Sequence, residues 1–575
     1  MTVAPEVRTR ALRLALENAV AHSGAARVEP IVGRLLATDP SLRVHAAEVR
    51  DVVAEVVAEV LAIPGPELVD RLAGLGGAEA GRPREVPSAG GEFPDLVGAV
   101  PGKVVLRLAP FPSGALHIGH GRMMFINQYY REKYGGKIYL VFDDTVGTEE
   151  KRVEPEFFDL IEEDLRSVGI RPDAVYYKSD RIPNFYPWAR RVIDKGAAYV
   201  CTCPAEVLRE NRARGIACAH RTQTLDETVE EWERMLANVY GPGEAVLRLR
   251  TDVADPDPAF RDRVLLRISD IDHPRVGTKY RVWPMLEFSW AVDDIELGIT
   301  HVIRGKDLVI EDRMQRYIWD LLGIQGPPFL HWGILRVREA KVSKSKSYRE
   351  VKSGLYDGWA DPRTWSLRSL DRRGISMDAV RAFILSFGMS LSDIEVPAET
   401  LYSENRKRID ATTVRRAFVA DPVRVEVDEF PDGLGTVELS NHPDRPELGR
   451  RTVPTGPSFY LARKDLEGRD GTEVRLKDLI NVQLPVGPLP AGGVRARFTS
   501  RENKRIPRLQ WVGGEGALPV DILGVEGEHT AGLGESTLAA AQPGDIVQFE
   551  RVGFVRVERD WKPGTSPLRV VFGHP

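Results

Sequence analysis

The stretch between residues 104 and 142 constrains this chain most. Val104-Val105-Leu106-Arg107-Leu108-Ala109 is a short apolar run stopped by Pro110. A turn rich in Pro, Ser and Gly follows. A helical pattern then runs from about Ile118 to Tyr134 and stops at Gly135-Gly136, before a second apolar run, Lys137 to Phe142. Strand, helix, strand at this spacing predicts a parallel pair joined by a right-handed crossover. The rhythm resumes far downstream. Ile299 to Ile303 reads as a strand, Asp307 to Leu322 as a helix, and Phe329 to Leu335 as another strand. An α/β parallel sheet split by an insertion of roughly 195–295 is therefore expected.

The rest of the chain divides around that sheet. Residues 1–73 carry apolar side chains at helical spacing, as in Val49, Val52, Val53, Val56, Val57, Val60 and Leu61, so a helical N-terminal domain is expected despite the valines. Residues 74–102 concentrate Gly and Pro and read as a linker. Residues 103–340 hold the sheet, and 341–410 a connecting helical domain. Residues 411–575 alternate apolar and polar side chains in short runs broken by Gly and Pro, which predicts β-barrels. A length of 575 residues agrees with about four domains. Three cysteines exclude a disulfide scaffold and suit a reducing cytoplasm. No apolar run is long enough for a membrane span, and the N-terminus lacks a signal-peptide core. The net charge of −5 shows no overall basic character, so any nucleic-acid surface must be local. One such stretch is 331–373, where 11 Lys and Arg meet five Asp and Glu.

Three constellations carry chemistry. Pro110-Phe111-Pro112-Ser113-Gly114-Ala115-Leu116-His117-Ile118-Gly119-His120 lies where the first strand hands over to its helix. Free backbone N–H groups and the positive end of a helix dipole suit phosphate there. His117 and His120 are three apart, so both rings can point the same way, and Gly119 leaves room for a flat ring against the backbone. Lys341-Val342-Ser343-Lys344-Ser345-Lys346-Ser347 follows the last sheet strand and reads as a loop whose ammonium groups can close over a triphosphate. Cys201-Thr202-Cys203 and Cys218-Ala219-His220 offer three thiolates and one imidazole, the donor set of a closed structural zinc site.

The first two motifs, in this order, resemble the HIGH and KMSKS signatures of class I aminoacyl-tRNA synthetases. The text around them is similar to the archaeal-type glutamyl-tRNA synthetases. The likeness runs through Arg107-Leu108-Ala109-Pro110, Phe142-Asp143-Asp144-Thr145, His301-Val302-Ile303-Arg304-Gly305 and Glu404-Asn405-Arg406-Lys407-Arg408-Ile409-Asp410. It continues in Ala15 to Val20, His442 to Gly449 and Val547 to Arg551, so it covers nearly the whole chain. It implies a Rossmann-like (HUP-type) catalytic domain with a helical N-terminal domain and all-β anticodon-binding barrels. The implied reaction is ATP-dependent activation of L-glutamate and transfer to the terminal ribose of tRNA(Glu), with tRNA(Gln) left open as a second acceptor.

By the same resemblance, His117, His120 and Lys344 are catalytic. Pro110, Ser113, Gly114, Gly119, Lys341, Ser343 and Ser345 join them at ATP, which brings Mg²⁺. Arg107 and Arg304 are the cations for the side-chain carboxylate, and Asp143 the anion for the α-ammonium. Cys201, Cys203, Cys218 and His220 would hold Zn²⁺ in the insertion. The sequence departs from the family at Leu286, where relatives commonly carry tyrosine. It also departs at Val141 in place of arginine, at Asp144-Thr145-Val146-Gly147, which lacks the usual second Asp and Pro, and at Val342 in place of Met. A glutaminyl-tRNA synthetase is the alternative within the fold. A nucleotidyltransferase sharing the His motif and a non-catalytic tRNA-binding paralogue are the alternatives outside it. The sequence leaves oligomeric state open.

Overall fold

A computed structural model of the chain describes residues 5–21, 26–38, 42, 45–63, 67–68, 71, 92–145, 153–340, 344–487 and 492–575. The chain forms two compact units, Met1–Gly90 and Gly91–Pro575.

The first unit is helical. Helices Pro5–Ala21, Val28–Thr38 and Ala46–Leu61 pack around Ala11, Ala15, Leu16, Leu35, Val49, Val53, Val56 and Val60. The valines of the third helix are buried on one face, so periodicity prevails over β-propensity here.

In the second unit, strand Val105–Leu108 pairs in parallel with Lys137–Phe142, which pairs in parallel with Ala174–Tyr177. On the other side Thr300 N donates to Val105 O (3.0 Å), and Val105 N donates to Thr300 Oγ1 (2.9 Å). This brings strand Val302–Gly305 beside the first strand, and Val302–Gly305 itself pairs in parallel with Phe329–Trp332. The first strand thus has neighbours from both halves of the sequence, and the crevice beyond its C-terminal end is where open α/β sheets bind ligands. Helix Gly121–Tyr134 makes the first crossover. It ends on Gly135 at φ +59, and a Cβ on Gly136 would stand 2.4 Å from Val104 O, so the helix can return to the sheet only with glycine there.

The linker expected at 74–102 is not a spacer throughout. Leu96 is buried in the sheet core, Leu96 N donates to Tyr134 Oη (2.9 Å), and Met389 N donates to Glu92 O (3.2 Å). The strand expected from Phe329 to Leu335 is broken at Gly333, where a Cβ would meet Ser392 O at 2.1 Å. Leu335–Val337 instead pairs with Ile394–Val396 of the connecting domain. That domain's helices Leu367–Arg372, Met377–Leu385 and Ala398–Ile409 share one core with the sheet through Leu370, Phe383, Ile384 and Leu401. The insertion is an antiparallel sheet of Ala198–Cys201, Val246–Leu249, Val264–Ile268 and Val282–Pro284. Its core runs into helices Ile182–Asp194, Leu286–Glu296 and Val309–Leu322, so it is anchored more widely than its sequence bounds suggest.

Beyond residue 413 two seven-stranded sheets form. In one, the terminal strands are Arg415–Arg416 and Phe418–Ala420, a single stretch that pairs at both edges. In the other, Arg508–Leu509 and Trp511–Gly513 do the same. Each sheet is thereby closed by one nearly continuous strand, which leaves little free edge, as in a barrel.

Candidate active site

The crevice beyond the first strand holds a buried set of charges. Arg107, in that strand, donates Nε and Nη2 to Asp294, the latter to Oδ2 at 3.0 Å. Arg304, in the neighbouring strand, donates Nε to Asp312 Oδ1 (2.9 Å) and Nη2 to Gln315 Oε1 (2.7 Å). Gln315 Nε2 returns to Asp294 Oδ2 (2.8 Å), which ties the two arginines together. Trp290 lies between them. Its ring centre is 4.7 Å from the Arg107 guanidinium carbon and 4.9 Å from that of Arg304. Burial, with the positive charge of Arg107 close by, lowers the pKa of Arg304.

The anionic side of the crevice is equally built. Asp143 follows the second strand, and its backbone N–H donates to Pro110 O (3.1 Å). Its Oδ1 is 2.9 Å from Nζ of Lys178, a lysine with no exposed side-chain surface. Lys178 also donates to Ser289 Oγ (2.6 Å) and stands 5.1 Å from the Trp290 ring centre. Asp144 accepts from Ser179 N (2.9 Å) and Ser179 Oγ (2.6 Å), and burial raises its pKa to about 6 against those bonds. The arginines and Asp143 expected from the sequence thus come together at strand ends.

The histidine motif is locked by its own backbone. His117 Nδ1 accepts from Gly119 N (3.0 Å), and His120 Nδ1 accepts from His117 N (3.1 Å), a reciprocal cap on the short turn before the helix. The ring centroids are 3.9 Å apart, so both histidines do face the same way. The loop is clamped from outside as well. Leu116 N donates to Asp164 Oδ2 (2.8 Å), Ile118 N to Trp365 O (3.2 Å), and Leu367 N to Leu116 O (2.9 Å). Gly114 has φ +149 beside the Trp359 ring. Ser113 N closes a tight turn to Phe111 O (3.0 Å). Ile118 and Gly119 line a cleft of about 380 Å³ with residues 334–338, Ala340 and Glu395.

In the second motif, Lys341, Val342 and Ser343 lie outside the described residues, as do the side chains of Lys344 and Ser345. Residues Lys344–Lys352 form a helix, which corrects the expectation of a loop through Ser347. No Gly or Pro interrupts this stretch, so nothing in the backbone opposes helix there.

The decisive observation is that these strand-end residues fall within a known pattern. Residues 103–411 match the model of "tRNA synthetases class I (E and Q), catalytic domain". Residues 413–487 and 509–558 match two models of the anti-codon binding domain of the same group. The chain belongs to the class I tRNA synthetases of the E and Q group. It is 41% identical to a protein named glutamate–tRNA ligase from Pyrococcus horikoshii, over 96% of this chain and 98% of that one. A protein of the same name from Thermococcus kodakarensis is 40% identical, over 99% of this chain and 100% of that one. One from Methanopyrus kandleri is 38% identical, with 99% of both chains covered.

The same synthetase carries a candidate metal centre in its insertion. Ligand atoms of Cys201, Cys203, Cys218 and His220 all lie within 4.8 Å of one another. Cys201 Sγ is 3.8 Å from Cys218 Sγ, and His220 Nδ1 is 3.4 Å from Cys203 Sγ and 4.0 Å from Cys201 Sγ. A tetrahedral ion bound at about 2.3 Å to sulfur and about 2.0 Å to nitrogen sets its ligand atoms about 3.5–3.8 Å apart, so the four fit one. His220 Nε2 is held by Thr202 Oγ1 at 2.8 Å, the outer partner that fixes a ligating imidazole.

Sequence reasoning missed Lys178, Trp290, Asp294, Asp312 and Gln315. Lys178 had a usable signal, since it directly follows the strand Ala174–Tyr177, at the end where such sheets bind ligands. Asp294 had a weaker one, one turn after Trp290 on the same helix. The basic run Arg406, Lys407 and Arg408 is engaged by Glu399 and Glu404 on the exposed face of its helix.

Proposed function

We propose that this synthetase is a glutamate–tRNA ligase. It joins L-glutamate to ATP as glutamyl-adenylate, releasing pyrophosphate, and then passes the glutamyl group to the 3′-terminal ribose of tRNA(Glu). The observation that carries this reading is the pair of buried guanidiniums at the ends of adjacent strands, facing a carboxylate across one crevice. Arg107 and Arg304 take the side-chain carboxylate, since guanidinium meets carboxylate as a planar fork. Asp143, steadied by Lys178, takes the α-ammonium.

His117 and His120 meet the ATP phosphates. Their Nδ1 atoms are held by the backbone, so the ring orientation is set before ATP arrives. Pro110, Ser113 and Gly114 shape the loop, and Gly119 receives the nucleotide in the cleft with residues 334–338. Lys344, with Lys341, Ser343 and Ser345, stabilises the departing pyrophosphate, while Mg²⁺ enters with ATP as part of the substrate. Catalysis of this kind is positioning plus charge stabilisation. Cys201, Cys203, Cys218 and His220 hold Zn²⁺, whose role there is to brace an insertion that packs few apolar side chains around them. The barrels position tRNA through its anticodon arm. The enzyme works in the cytoplasm, where translation supplies its tRNA.

Charging of tRNA(Glu) and tRNA(Gln) transcripts with labelled glutamate and labelled glutamine tests the reading. Glutamate on tRNA(Glu) is expected, and the tRNA(Gln) arm shows whether the enzyme discriminates between acceptors. Charging with glutamine alone would overturn the proposal in favour of the sister activity.

A further inference from the structure

Trp290 is 5% exposed, yet among the described residues its indole Nε1 has no hydrogen-bond partner. The neighbouring Arg304 is also 5% exposed, and its Nη1 has none among the described residues either. Native proteins rarely leave buried donors unmet, and a tryptophan N–H can only donate. Both orphaned donors belong to groups in direct contact, with the Arg304 guanidinium carbon 4.9 Å from the Trp290 ring centre and that of Arg107 4.7 Å from it. Leu286, one turn earlier on the same helix, is apolar and supplies no donor. The protein's own carboxylates, Asp294 and Asp312, are already taken by the other nitrogens of these arginines.

We infer that Trp290 selects the side chain of the amino-acid substrate. Its ring face holds the two guanidiniums in place, and its Nε1–H donates to the substrate's side-chain carboxylate beside Arg304 Nη1. The inference rests on the glutamate reading above and extends it to the choice between glutamate and glutamine. A carboxylate offers only acceptors and satisfies both donors. A carboxamide of the same shape keeps one acceptor oxygen and turns its NH₂ toward the other donor, which leaves a buried group unpaired, the situation in which a site discriminates most strongly. One unpartnered acceptor, Asp293 Oδ2, sits on the next turn of the same helix, its other oxygen held by Arg181 at 2.7 Å. The glutamine arm of the test reports whether an amide can use it.

The test is amino-acid-dependent ATP–pyrophosphate exchange in the presence of tRNA(Glu), with L-glutamate and L-glutamine in separate series. Three proteins are compared: wild type, Trp290→Phe, and a protein with benzothienylalanine at position 290. The last keeps the size and shape of the indole and replaces N–H by sulfur, so it carries the test if the phenylalanine variant does not fold. Removing one hydrogen bond to a charged group predicts a rise in the glutamate KM of about 10-fold or more. The preference for glutamate over glutamine should fall by at least about 10-fold, with kcat and the KM for ATP within about twofold of wild type. A wild-type glutamate KM in both variants would overturn this inference alone, as would parallel losses in kcat and in the KM for ATP. Equal use of glutamine by wild type would overturn it too. A wild type that activates no glutamate would overturn the functional reading together with it.

Discussion

Lys178→Met is the sharpest perturbation of the site that leaves every strand intact. Lys178 is fully buried and its Nζ lies 2.9 Å from Asp143 Oδ1, with Ser289 Oγ at 2.6 Å as its other partner. Methionine fills nearly the same volume but leaves the Asp143 carboxylate, 9% exposed at the side chain, without a counter-charge. Breaking a buried pair by removing one partner costs about 3–5 kcal/mol. In a domain of about 300 residues each kcal/mol moves Tm by about 1.5 °C, so the calorimetric transition of the catalytic domain should fall by about 5–8 °C. The double variant Lys178→Met/Asp143→Asn removes both charges and should recover most of that loss, while glutamate activation stays abolished because the ammonium partner is gone. Calorimetry with pyrophosphate exchange on both variants reads the two effects separately. A single variant within about 2 °C of wild type, or a double variant no more stable than the single, would refute the argument from the buried pair.

Other parts of the molecule give equally direct expectations. Burial raises the Asp144 pKa from 3.8 to about 6, so the folded state binds this proton more tightly than the unfolded state. Its contribution to stability is complete below about pH 4 and is lost as pH rises through about 6, so Asp144→Asn should flatten Tm against pH across that window. Gly114→Ala places a Cβ 2.5 Å from the Trp359 ring at φ +149, and should cost about 1–3 kcal/mol while slowing adenylate formation in exchange assays. Cys201→Ser should bring zinc content by metal analysis well below one per chain and lower the thermal transition of the insertion. Metal-free wild type with three freely titrating thiols would contradict that. Lys344→Ala should greatly slow adenylate formation in single-turnover assays and leave tRNA affinity within about twofold. Equal loss of both would contradict its assignment to pyrophosphate.

Much of this molecule is legible from local pattern. The first crossover shows because Pro110 and Gly135-Gly136 punctuate it at the right distances. The candidate metal cluster shows because its four donors lie within 20 residues of each other. The third helix shows because a 3.6-residue rhythm outweighs valine's preference for strands. What stays hidden depends on sequence-distant partners. Lys178 is an ordinary lysine until the sheet carries it to Asp143 and the distant helix Leu286–Glu296 closes over it with Ser289 and Trp290. Arg107 and Arg304 look like surface ion-pair residues until Asp294 and Gln315, contributed by two other helices, bury them. The break at Gly333 is invisible because it depends on Ser392 crossing there. The β-barrels are legible as a class, but how they close is not, since in one of them closure depends on a single stretch pairing with partners more than 100 residues away, as Phe418 does with Gly534.

The central claim is that this crevice chooses glutamate and delivers it to tRNA. The most direct measurement is the intact mass of tRNA(Glu) after reaction with the enzyme, ATP and an equimolar mixture of glutamate and glutamine. The account predicts tRNA heavier by one glutamyl residue, with the glutaminyl product absent. A glutaminyl product, or tRNA of unchanged mass in the presence of folded enzyme and ATP, would contradict it.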